Sequence, residues 1–274
     1  MKPLKCVVFD AYGTLFDVHS IVTVLDRRFP GQGAAVSEAW RTRQLEYTWL
    51  RSMMDRYEDF WKVTESALIA TCNALKLPLD AEVRAELMKA YLCLNPFPDV
   101  KQALSALSGT PLAILSNGNP KMLDKVVKNA GLDGALSHVI SVDEVKTYKP
   151  SPAAYRLAAK KMGVEAGSIG FVSSNFFDVA GAKAFGFRSH WLNRSGAPAE
   201  ELGATPDATF AIHQRFGQPH KALAPKKLRG CRGETLVASA AGKITSAPSN
   251  APRKISSGFV PAWNTASKDK FSPH

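Results

Sequence analysis

No stretch of this 274-residue chain is apolar for long enough to cross a bilayer. Runs such as Cys6-Val7-Val8-Phe9 fall far short of the roughly 20 residues a membrane helix needs. The first residues, Met1-Lys2-Pro3-Leu4-Lys5, lack the apolar segment and small-residue cleavage site of a secretory signal. Cysteine is scarce. Cys6, Cys72, Cys93 and Cys231 lie far apart with no C-x-x-C pair, which argues against a zinc ribbon and a disulfide scaffold. Together these absences predict a soluble protein of the reducing cytoplasm. Hydrophobic residues at 45% and charged residues at 22% make an ordinary globular mixture, with length for one large domain or two modest ones.

A net charge of +11 suggests nucleic acid until it is located. Residues 213–274 hold 11 Lys+Arg against 2 acids, so +9 of the charge lies there and residues 1–212 are nearly neutral at +2. That tail is rich in Pro, Gly, Ser, Ala and Lys and has no sustained period, which reads as a basic, disordered extension or an out-of-frame terminus. It also lacks the interleaved aromatics of a single-strand nucleic-acid binder, so nucleic acid is not the expected partner.

Lys5–Asp10 is a β-rich apolar run that ends at an acid and a turn. From about Val18 to Leu94 the period becomes helical: Ala39, Leu45, Trp49 and Met53 recur at helical spacing, as do Phe60, Trp61, Ala67, Leu68 and Leu75. Strand-like runs return at Pro111–Ser116, His138–Val142, Ile169–Ser173 and Arg188–Leu192. Between them lie helical patterns at Lys121–Ala130, Pro152–Met162 and Phe177–Phe185. Strand–helix alternation predicts an α/β fold, a doubly wound parallel sheet of Rossmann-like kind. The helical insert after the first strand would form a cap over the strands' carboxyl ends, where open α/β sheets bind ligands. The expected division is a core of residues 1–16 and 96–212, a cap of 17–95 and the tail of 213–274.

Four strand ends bring polar residues to that rim. Asp10 and Thr14 follow the first; an acid there is a turn residue or a carboxylate nucleophile. Ser116 and Asn117 end the second, as a turn or as an anion-binding helix start. Lys149 precedes Pro150 and the proline-started helix at Pro152. Ser173-Ser174-Asn175 and Asp178 follow the next strand, where helix capping alone could explain Ser174 or Asn175. Each residue singly has a structural explanation. Four consecutive strands delivering Asp, Ser/Asn, Lys and Ser/Asn/Asp to one rim do not. His138 and His190 lie in strand patterns with no partner at ligand or triad spacing and read as structural.

Phe9-Asp10-Ala11-Tyr12-Gly13-Thr14-Leu15-Phe16-Asp17, Leu115-Ser116-Asn117-Gly118, Tyr148-Lys149-Pro150 and Val172-Ser173-Ser174-Asn175 through Asp178 resemble the four motifs of the haloacid dehalogenase-like hydrolases, over residues 4–210. Within that superfamily, Trp40–Tyr47 and the serine–asparagine pair of motif four resemble the L-2-haloacid dehalogenases. Superfamily phosphatases carry an aspartate two residues after the nucleophile and a second one that helps hold magnesium. Here Tyr12 and Ser174 stand in those places. A tyrosine with a pKa of about 10 cannot protonate a leaving alkoxide near neutral pH. Magnesium wants several hard carboxylate oxygens, whereas only Asp10 and Asp178 are left, beside a lysine. A departing halide needs no proton, so no metal or other cofactor is expected.

The resemblance implies a hydrolase that converts L-2-haloalkanoates to D-2-hydroxy acids through an aspartyl ester. Asp10 would attack C2, with Lys149 keeping it ionised and Thr14 orienting it. Asp178, with Asn175 and Ser173, would position the water that hydrolyses the ester, and Tyr155 would support Lys149 or the nucleophile. Ser116 and the backbone amides from Ala11 onward would bind the substrate carboxylate. Arg41, Asn117 and Phe60 would cradle the halide; Tyr12, Leu45 and Phe177 would line the apolar part. Phe60 and Leu45 could equally be packing residues of the cap. Phe176 stands where the family usually has a small residue and is expected to narrow or reshape the pocket. The family's usual closing helix is missing, with Phe210-Ala211-Ile212 fading into the tail, and a homodimer is expected on the same resemblance. The competing readings are a magnesium phosphatase of the same fold and a non-catalytic protein with a nucleic-acid-binding tail.

Overall fold

The computed structural model describes residues 3–211. The expectations for the tail at 213–274, and for Ile212, lie outside the described residues. Six strands form one parallel sheet: β1 (Cys6–Phe9), β2 (Leu112–Ser116), β3 (His138–Ser141), β4 (Ile169–Ser173), β5 (Arg188–Asn193) and β6 (Ala208–Ala211), in the order β3-β2-β1-β4-β5-β6. The order runs outward in both directions from β1, as in a doubly wound Rossmann-like sheet. The central strand β1 is buried on both faces, and an unbroken apolar sequence is what that position demands. Its register is set by Val7 opposite Leu112 of β2 and Gly170 of β4.

Among the described residues, eight α-helices accompany the sheet. α1 (Val22–Arg28), α2 (Gly33–Met53), α3 (Phe60–Ala74) and α4 (Ala81–Tyr91) form the helical insert after β1. α5 (Val100–Ala106), α6 (Pro120–Ala130), α7 (Pro152–Met162) and α8 (Phe176–Phe185) belong with the sheet. The boundaries follow local chemistry. Asp59 and Asp80 accept backbone N–H groups at the starts of α3 and α4. Pro120 and Pro152 open α6 and α7, and left-handed Gly131 and Gly163 close them. The chain enters and leaves the insert side by side, with Phe16 bridged to Pro96 and Asp17 N–H donating to the Asn95 carbonyl.

One expectation needs correction. The sheet does not fade at residue 210: Ala208–Ala211 makes a sixth parallel strand, with Leu192 opposite Phe210. It is anchored by Asp207, whose carboxylate accepts from Ser189 N–H and pairs with Lys183. In α2, the stripe Ala39, Leu45, Trp49 and Met53 identified the helix but is not its buried face. That face is Val36, Ser37, Trp40, Gln44 and Thr48. Hydrogen bonding lets these polar groups be buried, so hydropathy alone misplaces the face.

Candidate active site

Because β1 lies between β2 and β4, the residues just beyond these three strands converge. Asp10 follows β1, Ser116 ends β2 and Ser173 ends β4. Lys149 reaches the same point from the segment before α7, and its Nζ lies 2.7 Å from Asp10 Oδ1 and 2.7 Å from Asp178 Oδ2. It also donates to the Leu115 carbonyl at 3.0 Å. All three charged groups are buried. Burial alone would lower the lysine's pKa, but the two carboxylates more than reverse this and hold it above the ordinary lysine range.

The second oxygen of Asp10 is crowded with donors. Thr14 Oγ1 and Asn175 Nδ2 each lie 2.8 Å from Oδ2, and Ser173 Oγ lies 3.5 Å away. Thr14 is itself fixed by accepting from Ser174 N–H at 2.9 Å. Its carbonyl accepts from Arg194 (2.9 Å), a buried residue paired in bidentate fashion with Asp99. The turn between Asp10 and Thr14 requires a glycine, since Gly13 has φ +91°.

Asp178 is fully enclosed, with Tyr155 donating to its Oδ1 at 2.8 Å. Burial, opposed by Lys149 and reinforced by Asp10, pushes its pKa up to about 6. Tyr155 therefore reaches the lysine only through Asp178. Its own hydroxyl is held protonated, its pKa driven well above the ordinary tyrosine value by burial and the neighbouring carboxylates.

In front of Asp10 is a cavity lined by Asp10, Tyr12, Arg41, Leu45, Phe60, Ser116, Asn117, Lys149, Asn175 and Phe177. Thr14, Ser173, Tyr155 and Asp178 stand behind this lining, and Ala11 is buried in the turn. Only about 10 Å³ is open to the centre of a water-sized sphere, room for about one water. A larger ligand requires the half-buried Arg41, Leu45 or Phe177 to move aside. Arg41, from α2, donates to the Tyr12 carbonyl at 3.0 Å. Ser116 Oγ accepts from Gly118 N–H at 3.1 Å, and Asn117 Oδ1 accepts from Lys149 N–H at 3.1 Å. Those bonds leave the hydroxyl proton and the Asn117 amide N–H groups to donate to an anion. Tyr12 packs on Phe60 and Tyr91, and burial drives its pKa well above the ordinary value, so it presents a neutral wall.

Phe176 does not narrow this cavity. It is buried edge-on against Trp191, with ring centroids 5.0 Å apart, on the side of α8 away from the site. Phe177 instead meets Trp49 of α2 edge-on at 5.1 Å. The magnesium donor set does not fit here: the ammonium of Lys149 already bridges the two carboxylates, and Ser174 supplies no carboxylate. Among the described residues no group of three or more His, Cys, Asp or Glu could hold a metal. Sequence reasoning missed Gln44, which lies one turn after Arg41 and could have been found from that spacing. It also missed Arg194, which nothing in the sequence signals.

Residues 4–186 match the model of the hydrolase family "haloacid dehalogenase-like hydrolase". The chain is 51% identical over 209 residues to an (S)-2-haloacid dehalogenase of Pseudomonas sp. (strain YL), covering 76% of this chain and 90% of that one. It is 50% identical over 249 residues to the (S)-2-haloacid dehalogenase of Xanthobacter autotrophicus, covering 85% and 98%. Among solved structures, the L-2-haloacid dehalogenase from Xanthobacter autotrophicus with chloropropionic acid covalently bound superposes with a TM-score of 0.72 at 43% identity, covering 76% of this chain and 94% of that one. On the matched family model, the level of identity and the shared fold, the chain belongs to the haloacid dehalogenase-like hydrolases.

Proposed function

We propose that the protein is an (S)-2-haloacid dehalogenase that hydrolyses short L-2-haloalkanoic acids to D-2-hydroxy acids. The observation that carries this reading is the charge cluster, with one lysine ammonium 2.7 Å from both Asp10 and Asp178 beside a small cavity. The relatives' names and the covalently bound chloropropionic acid of the Xanthobacter enzyme support it.

Asp10 Oδ1, which has fewer donors than Oδ2, attacks C2 of the substrate opposite the carbon–halogen bond. The new C–O bond forms as the halide leaves with its electron pair, inverting the carbon. Ser116 and the backbone amides after Asp10 hold the substrate carboxylate, while Arg41 and Asn117 face the departing halide with Phe60 beside it. Tyr12, Leu45 and Phe177 enclose the alkyl group.

Water then attacks Cγ of Asp10. Charge builds on Oδ2, where Thr14, Asn175 and Ser173 already donate. The Cγ–Oδ1 bond breaks and Oδ1 leaves as the product hydroxyl, so the water oxygen stays in Asp10. Ionised Asp178, linked through Lys149 and steadied by Tyr155, is the basic group of the site, and one proton is released overall with the halide. Neither a metal nor another cofactor enters the scheme. The phosphatase alternative is not favoured, because Tyr12 and Ser174 replace the acids it needs. The nucleic-acid alternative rests on residues outside those described.

The division into a core of residues 1–16 and 96–212 with a cap of 17–95 belongs to the same proposal. The paired crossing at Asp17 and Asn95 supports it. A homodimer and a cytoplasmic location are further parts of the proposal. The exposed Leu50, Met53 and Met54 at the end of α2 offer apolar surface to a second copy. No helix among the described residues is long and apolar enough to cross a membrane.

Single-turnover reaction in oxygen-18 water, followed by peptide mass spectrometry, tests the scheme. The label should enter Asp10, with halide and D-hydroxy acid released in chelator-treated buffer. Label found only in the released acid would overturn the covalent route. Phosphate release from p-nitrophenyl phosphate with magnesium, without halide release from L-2-chloropropionate, would overturn the dehalogenase reading.

A further inference from the structure

A buried amide lies behind the cationic side of the cavity. Gln44 is fully buried in α2, and all its polar atoms are engaged. Its Oε1 accepts from Arg41 Nη1 at 2.8 Å and from the Tyr91 hydroxyl at 3.0 Å. Its Nε2 donates to Thr64 Oγ1 at 2.6 Å, and Thr64 in turn donates its proton to the Phe60 carbonyl at 2.6 Å. That last bond fixes the amide's orientation. With its proton committed to Phe60, Thr64 can only accept, so the NH₂ side of Gln44 faces Thr64 and the oxygen faces Arg41.

We infer that Gln44 is a positioning residue that aims Arg41 at the leaving halide, and that an amide is required there because it orients the guanidinium without neutralising it. Both oxygens that hold Arg41, from Gln44 and from the Tyr12 carbonyl, are uncharged. A carboxylate at position 44 would grip the guanidinium more strongly and cancel the charge an anion needs. The same amide links α2, α3 and α4, so it fixes Arg41 and Phe60, two cavity-lining side chains on different helices, relative to each other. The inference rests on the proposed role of Arg41 toward the halide.

Gln44→Glu keeps the size and both acceptor contacts but introduces a charge. Thr64→Val keeps the shape but removes the group that orients the amide. Gln44→Glu is expected to reduce kcat on L-2-chloropropionate by about tenfold or more. Product inhibition by chloride and bromide should weaken by a similar factor; chloride is expected to raise the wild-type Tm at constant ionic strength, and that rise should disappear in the variant. Thr64→Val should move the same quantities in the same direction by a smaller factor, and it carries the test if Gln44→Glu does not fold. Folded variants with wild-type halide inhibition and wild-type chloride stabilisation would overturn the inference, whatever their kcat. A wild type that chloride stabilises but that releases no halide would overturn the dehalogenase reading. Loss of the chloride effect in Gln44→Glu would still support the positioning of Arg41.

Discussion

At the scale of single residues, the site is a problem in burying three charges together. Lys149 lies between two carboxylates, so the cluster carries one net negative charge, and burial places the resulting strain on Asp178. Its pKa rises from 3.8 to about 6, so the folded protein holds this proton more tightly than the unfolded chain does. The group's contribution to stability is therefore present below pH 3.8 and lost as the pH rises to about 6. If ionised Asp178 is the base, kcat falls as the pH drops through about 6. Tyr155 donates to the ionised form and lowers that pKa. Tyr155→Phe should accordingly move the acid limb of the kcat–pH profile upward, and an unmoved or lowered limb would show that Asp178 does not set it. Lys149→Met leaves two buried carboxylates without a counter-ion, at a cost of about 3 kcal/mol or more at pH 7. Denaturant melts should show the deficit shrinking toward pH 4, as the carboxyls take up protons. These residues were legible in the sequence because each stands next to a strand end. Gln44 and Arg194 were not, because each acts through a neighbour that only the fold supplies.

At the scale of elements, the sequence was readable where local chemistry marks a boundary. Pro152 and Gly163 bracket α7, which matches its expected span. The reading failed where tertiary hydrogen bonds override hydropathy. The buried face of α2 includes Ser37, Gln44 and Thr48, which a polarity pattern assigns to solvent. β6 is four residues long and mostly exposed, so it has neither alternation nor an apolar run to betray it. One element boundary does double duty. Asp59 caps α3 through the Trp61 and Lys62 N–H groups, and it also accepts at 2.8 Å from Asn119, whose own side chain caps α6. An insert helix and a sheet helix thus share one carboxylate at their starts. Asp59→Ala should cost about 1–2 kcal/mol, the upper range for a lost cap. It should also raise KM, because Phe60 is the first residue after the cap and lines the cavity. A thermal melt and steady-state kinetics together check this; a Tm loss with unchanged KM would show the cap to be structural only.

At the scale of the whole molecule, chemistry and charge are separated along the chain. The residues assigned to the chemistry lie between positions 10 and 178, and the last strand among the described residues ends at Ala211. The excess of 11 Lys+Arg over 2 acids lies beyond that, in residues 213–274. An anionic substrate enters a cavity whose cations, among the described residues, are Arg41 and Lys149, so the chemical step is expected to run without the basic tail. Long-range attraction from the tail could add only to the encounter rate, and salt would screen it beyond about 8 Å at physiological ionic strength. A chain ending at residue 212 should therefore keep its kcat on L-2-chloropropionate. Any change in kcat/KM should be confined to low salt and vanish as salt is added. The shortened chain should also lose most of its retention on a cation exchanger, because its net charge falls from +11 to +2. A drop in kcat that persists at high salt, in a shortened chain whose melting temperature is unchanged, would mean that the tail reaches the chemistry directly.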